Sequence, residues 1–196
     1  MDILNSLVKY KVRGETYAVL GVTMVDLYPG INWSYCFGWA NFGSGSGVFS
    51  FCRYPPTYKS NRAVHGDYDY VPLACHTMAH EICHMFGMHH CVYYECLMNG
   101  YNSLHEQMDR KNNTLCPVCI TKLQLNVGFD VRARYQALLK AATQLNITKE
   151  VAQYEELLQL KLTAPIIEKP ARLLPPPPQP QMQQLQVPQT QPRQGA

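Results

Sequence analysis

The chain has 196 residues, which is enough for one domain of ordinary size and a tail. Its net charge is only +3 and it has no block of lysine and arginine, so composition gives no support for nucleic-acid or membrane binding. No stretch approaches the roughly 18 apolar residues of a membrane span, and the N-terminus does not resemble a signal peptide. We therefore expect a monomer in the cytoplasm or nucleus, whose eight cysteines are thiols rather than disulfides.

The first part of the chain has the pattern of a small α/β domain. Residues 3–8 form a short amphipathic stretch that predicts a helix, and the apolar, β-branched stretch 17–23 predicts a buried strand. A second strand is predicted at 48–52, after a run of glycine and serine. We interpret that run as a flexible turn, because a phosphate-binding loop leads into a helix rather than a strand. Alternatively, the second strand is a sheet edge that pairs with an extended peptide.

The next predicted element is a mostly buried helix with a proline in its first turn. His80 and His84 are four residues apart, so both imidazoles lie on one helix face at the spacing that a single Zn²⁺ ion needs. Glu81 can reach a zinc-bound water molecule without being a ligand. Gly87 can adopt the left-handed conformation that ends a helix, which lets His90 approach as a third ligand. The alternative is a pair of core histidines satisfied by hydrogen bonds.

Four cysteines beyond this helix have the spacing of a second metal site. Four residues separate Cys91 from Cys96, two separate Cys116 from Cys119, and nineteen lie between the two pairs. This arrangement predicts a closed tetrahedral zinc site that supplies folding energy. The alternative is four unrelated buried thiols. The remaining cysteines lack partners at ligand spacing, and we expect them to be small core residues: Cys36, Cys52, Cys75 and Cys83.

The two sets of candidate ligands form one continuous pattern. It reads His80-Glu81-x-x-His84-x-x-Gly87-x-x-His90-Cys91-x4-Cys96-x-Met98-x17-Cys116-x-x-Cys119. The histidine part is similar to the metzincin signature. The joined pattern resembles that of the archaemetzincins, a family of zinc metalloproteases in the metzincin clan (peptidase family M54). With similar flanking segments, the resemblance covers residues 17–139, and the chain resembles a member of the eukaryotic type that is shortened at its N-terminus.

The resemblance implies the fold, the activity and the roles of the site residues. The fold would be a small metzincin-like zincin domain of the α/β class, with a twisted mixed sheet over the active-site helix and an edge strand at 48–52. The activity would be hydrolysis of peptide bonds in a peptide or protein substrate, with one catalytic and one structural zinc ion. His80, His84 and His90 would bind the catalytic zinc, Glu81 would be the general base, and Cys91, Cys96, Cys116 and Cys119 would bind the structural zinc.

Met98 in this pattern and Tyr101 shortly after Met98 are two further residues whose roles can be compared with those in metzincins. Met98 would be the Met-turn residue beneath the catalytic zinc, although its spacing alone also fits an ordinary core methionine. Tyr101 stands close to the Met turn, but its offset differs from that of the zinc-binding tyrosine in some metzincins. We therefore do not expect Tyr101 to be a zinc ligand.

The rest of the chain predicts helices and a tail. Helical periodicity after residue 129, with a break at 146–148, predicts a helical hairpin or a partner-binding helix. We expect a catalytic domain at 1–130, a helical extension at 131–163 and a disordered tail rich in proline and glutamine at 164–196. The tail is a candidate ligand for an SH3 or WW domain. The alternatives to a peptidase are an inactive two-zinc scaffold that binds peptides and an adaptor that acts through this tail.

Overall fold

The protein has a mixed α/β fold, as the sequence predicts. The computed structural model describes residues 2–12, 14–30, 34–41, 44–59, 68–101, 103–110 and 112–160. Within these ranges the elements are α1 (Asp2–Val8), β1 (Val19–Thr23), β2 (Gly38–Asn41), β3 (Ser46–Ser50), α2 (Tyr70–Met85), α3 (Leu104–Met108), α4 (Pro117–Val127), α5 (Val131–Gln144) and α6 (Thr148–Gln159). No helix in these ranges is both long enough and apolar enough to cross a bilayer.

The three strands form one mixed sheet with β3 in the centre. Strand β1 pairs with β3 in parallel and β2 pairs with it antiparallel. Val48 packs with Leu4 of α1 and with Leu27, whereas the next residue, Phe49, packs with Ala74 of α2. Because successive strand residues point to opposite faces, the two clusters lie on opposite sides of the sheet. The sheet therefore lies between α1 and the helix that carries the candidate ligands.

The structure corrects two expectations about the strands. The strand expected at 48–52 as a sheet edge spans Ser46–Ser50 and is central, and the irregular stretch before it contributes β2, which the sequence does not predict. All five residues of β3 are buried, so its sequence lacks the alternation of a half-exposed strand. A Cβ atom on Gly47 would lie 2.7 Å from Met85 Sδ, so this glycine lets α2 pack closely on the sheet.

Helix α2 begins and ends at residues that suit its two termini. Asp69 caps the N-terminus, since its carboxylate accepts a hydrogen bond of 3.0 Å from the backbone N–H of Val71. At the other end Gly87 has a φ of 78°, and its N–H donates to the His84 carbonyl at 2.8 Å. The chain therefore leaves the helix at Gly87, as the sequence predicts, and turns back toward the histidines.

Helices α5 and α6 form the predicted hairpin. Asn146 in the break between them has a left-handed φ of 55°. Val131 and Tyr135 of α5 are buried in the core cluster that contains the four predicted cysteine ligands, and Tyr154 of α6 packs against it. The hairpin thus shares a core with the residues before it, and the domain boundary at residue 130 stays a prediction. The predicted tail at 164–196 lies outside the described residues.

Candidate metal centres

The imidazoles of His80 and His84 are held in a defined tautomer. Nδ1 of His80 lies 2.8 Å from the carbonyl oxygen of Leu97, and Nδ1 of His84 lies 2.6 Å from that of Met88. A carbonyl oxygen only accepts hydrogen bonds, so each Nδ1 carries a proton and donates it. In the neutral rings both Nε2 atoms then have lone pairs, and these two atoms face each other at 2.9 Å. Lone pairs at this distance repel unless a cation lies between them.

His90 completes the first cluster. One ring nitrogen from each of the three histidines lies within 4.8 Å of the others. Nε2 of His90 is buried and has no hydrogen-bond partner in the described part of the chain. Burial lowers the pKa of all three histidines, that of His84 to about 4, so the rings are neutral at pH 7. Neutral imidazoles that converge on one point fit a Zn²⁺ ion.

Glu81 lies between the helix and the sheet. It follows His80 in α2, and only 6% of its surface is exposed. Burial raises the pKa of its carboxyl group to about 7. Gly38 of β2 packs directly on it, since a Cβ atom there would lie 2.9 Å from Glu81 Cγ. The edge strand and the helix therefore confine the carboxyl group of the residue that directly follows His80.

The four cysteines of the second predicted set also converge. Their Sγ atoms lie within 4.8 Å of one another, and all four residues are buried. Cys96 Sγ accepts hydrogen bonds from the backbone N–H groups of Met98 at 3.4 Å and Cys116 at 3.3 Å. Cys116 Sγ accepts one from Cys119 N–H at 3.4 Å, at the start of α4. Such donors stabilise thiolates, and four thiolates at this spacing need a cation, so the cluster fits a tetrahedral zinc site.

The other cysteines lie outside both clusters, as expected. Cys36 and Cys83 are buried, whereas Cys52 and Cys75 are partly exposed. All eight cysteines are free thiols.

Met98 and Tyr101 lie shortly after Cys96, in the stretch between the two cysteine pairs. Met98 is fully buried, and its carbonyl accepts a hydrogen bond of 2.8 Å from Cys91 N–H. Its predicted position beneath the catalytic zinc stays a prediction. The hydroxyl of Tyr101 is hydrogen-bonded to that of Thr77, which also accepts a bond of 2.6 Å from Tyr54. Tyr101 thus belongs to a buried hydroxyl cluster and not to the group of converging histidines.

Several residues that hold these two clusters in place were not predicted from the sequence. The carbonyls of Leu97 and Met88 fix the histidine tautomers, Gly38 gives room for Glu81, and the Asn99 side chain binds the loop between Cys91 and Cys96. Backbone carbonyls carry no side-chain signal. The sequence signal of Gly38 and Asn99, a glycine and an asparagine in irregular stretches, is that of ordinary turns.

The chain is similar to several known proteins. The family model described as peptidase family M54 matches residues 5–125. Archaemetzincin-2 of Homo sapiens is 39% identical over 162 residues, which are 71% of this chain and 44% of that protein. Archaemetzincin-1 of Homo sapiens is 32% identical over 162 residues, which are 70% of this chain and 32% of that protein. The crystal structure of archaemetzincin from Methanopyrus kandleri is 32% identical, with a TM-score of 0.47, and the match covers 63% of this chain and 62% of that chain.

A helix that carries His80, Glu81 and His84 beside a mixed sheet, with His90 returning from the chain beyond it, is the arrangement of the zinc-dependent peptidase class. Within that class, the chain belongs to peptidase family M54, the archaemetzincins. The resemblance identified in the sequence is thereby confirmed. The chain spans less than half the length of the curated relatives described above.

Proposed function

We propose that this chain is a zinc metallopeptidase that hydrolyses peptide bonds in a peptide or protein substrate. The observation that carries the proposal is the pair of Nε2 atoms of His80 and His84 that face each other at 2.9 Å, on the same helix as the buried Glu81. A metal centre that served only the fold would gain nothing from a buried, ionisable carboxyl group adjacent to its ligands. Membership of peptidase family M54 supports the same conclusion.

Three histidines would hold the catalytic zinc through ring nitrogens. In His80 and His84 this nitrogen is Nε2, because Nδ1 donates to a carbonyl, and in His90 Nε2 is buried and has no hydrogen-bond partner among the described residues. The bound zinc would supply a Lewis acid that polarises the scissile carbonyl and acidifies water. The carbonyls of Leu97 and Met88 orient two of the rings, so these ligands need little rearrangement on binding.

Glu81 would be the general base. Its place after His80 in α2 puts the carboxyl group beside the ligands without making it one. It would accept a proton from the attacking water molecule and return it to the leaving amine. Gly38 of the edge strand lies against Glu81, so we place the pairing with an extended substrate at β2 rather than at β3.

The four cysteines would hold a second, structural zinc ion. Their thiolates fill all four positions of a tetrahedral site, so no position remains for a substrate or water. The pairs come from the loop 91–96 and from the start of α4, and the ion would link these segments. We therefore propose about two zinc ions per chain. The monomeric state, the cytoplasmic or nuclear location and an SH3 or WW partner for the tail also stay proposals.

The variant His84→Ala tests the catalytic zinc and the activity together. We expect it to bind one zinc ion fewer than the wild type, because the four-cysteine centre stays intact, and to lose cleavage of a peptide library. Metal content is measured by mass spectrometry of the full-length protein, and cleavage by product analysis. His105→Ala on the exposed surface of α3 is the matched control and should behave as the wild type. A wild type that binds two zinc ions but cleaves no peptide would contradict the proposal.

The variant Gly38→Ala tests the close contact between β2 and Glu81. The added methyl group would lie 2.9 Å from Glu81 Cγ, so the carboxyl group must shift. We expect kcat to fall by about 10- to 100-fold with zinc content unchanged, because small displacements of a catalytic group are costly. Gly21→Ala in β1 is the control, since the atoms nearest to its methyl group would be the flexible end of Leu7, at 3.1 Å, and the Gly47 carbonyl oxygen, at 3.8 Å. Unchanged kcat in Gly38→Ala would show that Glu81 does not depend on this contact.

A further inference from the structure

The side chain of Asn99 holds the loop that contains two of the four cysteines. Its Oδ1 accepts a hydrogen bond of 2.8 Å from Cys96 N–H. Its Nδ2 donates to the carbonyl of Cys91 at 2.6 Å and to that of Tyr94 at 2.8 Å. The two carbonyls can only accept, so the orientation of the amide is unambiguous. Both protons of the amide and its oxygen are thus used to close the loop 91–96.

The residues on either side of Asn99 contact both centres. The Met98 carbonyl accepts a hydrogen bond of 2.8 Å from Cys91 N–H. Gly100 packs against the ring of His90, since a Cβ atom there would lie 3.2 Å from His90 Nδ1. His90 and Cys91 are consecutive in the chain. A short segment centred on Asn99 therefore touches a ligand of the histidine centre and binds the loop of the cysteine centre.

His90 differs from the other two histidines in how its ring is oriented. Nδ1 of His80 and Nδ1 of His84 each donate to a backbone carbonyl. Among the described residues no carbonyl accepts such a bond from His90. Its ring packs against Gly100 and against the rings of His80 and His84, at centroid distances of 5.2 and 5.0 Å. Ligand histidines without a hydrogen-bonded partner are less well fixed for metal binding. The order of His90 should therefore depend on the order of the segment 98–100.

We propose that Asn99 is a positioning residue that couples the two metal centres: its carboxamide orders the loop of the four-cysteine centre and thereby raises the zinc affinity of the three-histidine centre. The inference rests on the proposed function, which supplies the two zinc ions. Asn99 fixes the loop 91–96 to the segment 98–100, and this segment in turn holds His90 in place. Asn99 touches neither metal nor substrate, and its effect passes through His90.

The variant Asn99→Asp tests this coupling. Aspartate retains an oxygen for Cys96 N–H, but it replaces the Nδ2 donor by an oxygen that faces two carbonyl oxygens. The zinc affinity of the histidine centre is measured on the full-length protein by competition with a chromophoric chelator, with the cysteine centre already filled. Cobalt substitution reports the cysteine centre separately through its thiolate charge-transfer absorption. We expect the zinc affinity of the histidine centre to fall about 10- to 100-fold.

Two further variants make the comparison decisive. Asn112→Asp is the matched control, because among the described residues its Nδ2 makes a single contact, of 3.5 Å with the Glu95 carbonyl, and its Oδ1 bonds to Thr114 survive the change. We expect it to stay within about twofold of the wild type. Asn99→Ala removes the side-chain hydrogen bonds of Asn99 without adding a charge, so it tests the proposed coupling if Asn99→Asp does not fold. Asn99→Ala should also lower the zinc affinity of the histidine centre.

The outcomes separate the inference from the proposed function. If Asn99→Ala or a folded Asn99→Asp changes only the cysteine centre and leaves zinc affinity at the histidine centre unchanged, Asn99 has a local role and the inference is wrong. If the wild type binds two zinc ions and cleaves nothing, the proposed function fails, whereas the affinity comparison still tests the coupling. If the wild-type histidine centre binds no zinc, both are wrong.

Discussion

The change Glu81→Gln is expected to lower kcat by about 10²- to 10⁴-fold while both zinc ions stay bound. Glutamine keeps the shape of the side chain in the narrow space beneath Gly38, but it cannot accept the proton of the attacking water molecule. Because Glu81 is not a ligand, the three imidazoles keep their geometry and the metal content should not change. A loss of activity at constant zinc content therefore isolates the proton-transfer role from metal binding.

The measurement is cleavage of a peptide library by wild type and variant at equal zinc content. Glu155→Gln is the matched control, since Glu155 lies on the exposed face of α6. It should leave kcat unchanged. Equal cleavage by wild type and Glu81→Gln would show that Glu81 is not the base. If both proteins bind peptides and neither cleaves them, the result would favour the inactive scaffold. Binding of a partner protein that requires only residues 164–196 would favour the adaptor.

The change Cys96→Ser is expected to have the largest effect on stability. Cys96 is fully buried, and its Sγ accepts two backbone hydrogen bonds in addition to its place in the thiol cluster. Structural zinc sites contribute on the order of 10 kcal/mol to folding, whereas whole domains are stable by only about 5–15 kcal/mol. Loss of this ion should therefore lower the free energy of unfolding by about 5 kcal/mol or more, with loss of one zinc ion per chain.

Urea denaturation and metal analysis of the purified variant measure this effect. Cys75→Ser is the matched control, because Cys75 is a partly exposed free thiol on α2 outside the cluster. It should retain both zinc ions and lose no more than about 1 kcal/mol of stability. If the wild type and Cys96→Ser hold the same amount of zinc and Cys96→Ser has the stability of the control, the four cysteines are ordinary buried thiols, which is the alternative that the sequence leaves open.

The order of the strands shows where sequence reasoning fails in this fold. Strand β3 is buried on both faces, so its sequence lacks the alternation of a half-exposed strand. No local pattern then shows whether this strand lies in the centre or at the edge of the sheet. Strand β2 is only four residues long and includes a glycine, so it has no regular pattern at all. Strand order depends on long-range pairing, which a local pattern does not encode. The ends of α2 and α5 were more predictable, since Gly87 and Asn146 there adopt left-handed backbone, whereas α3 and α4 were not predicted.

By itself, the sequence determined which side chains could bind metal. The positions of His80 and His84 one helical turn apart are a local feature, because helix geometry converts sequence distance directly into spatial distance. The glycine at 87 and the short spacing within each cysteine pair are also visible in the sequence alone. Only the tertiary structure decided how those side chains are held. The carbonyl of Leu97 and the backbone of Gly38 contact residues far away in the sequence, and the amide of Asn99 closes a loop without regular secondary structure. Such contacts exist only once the chain is folded.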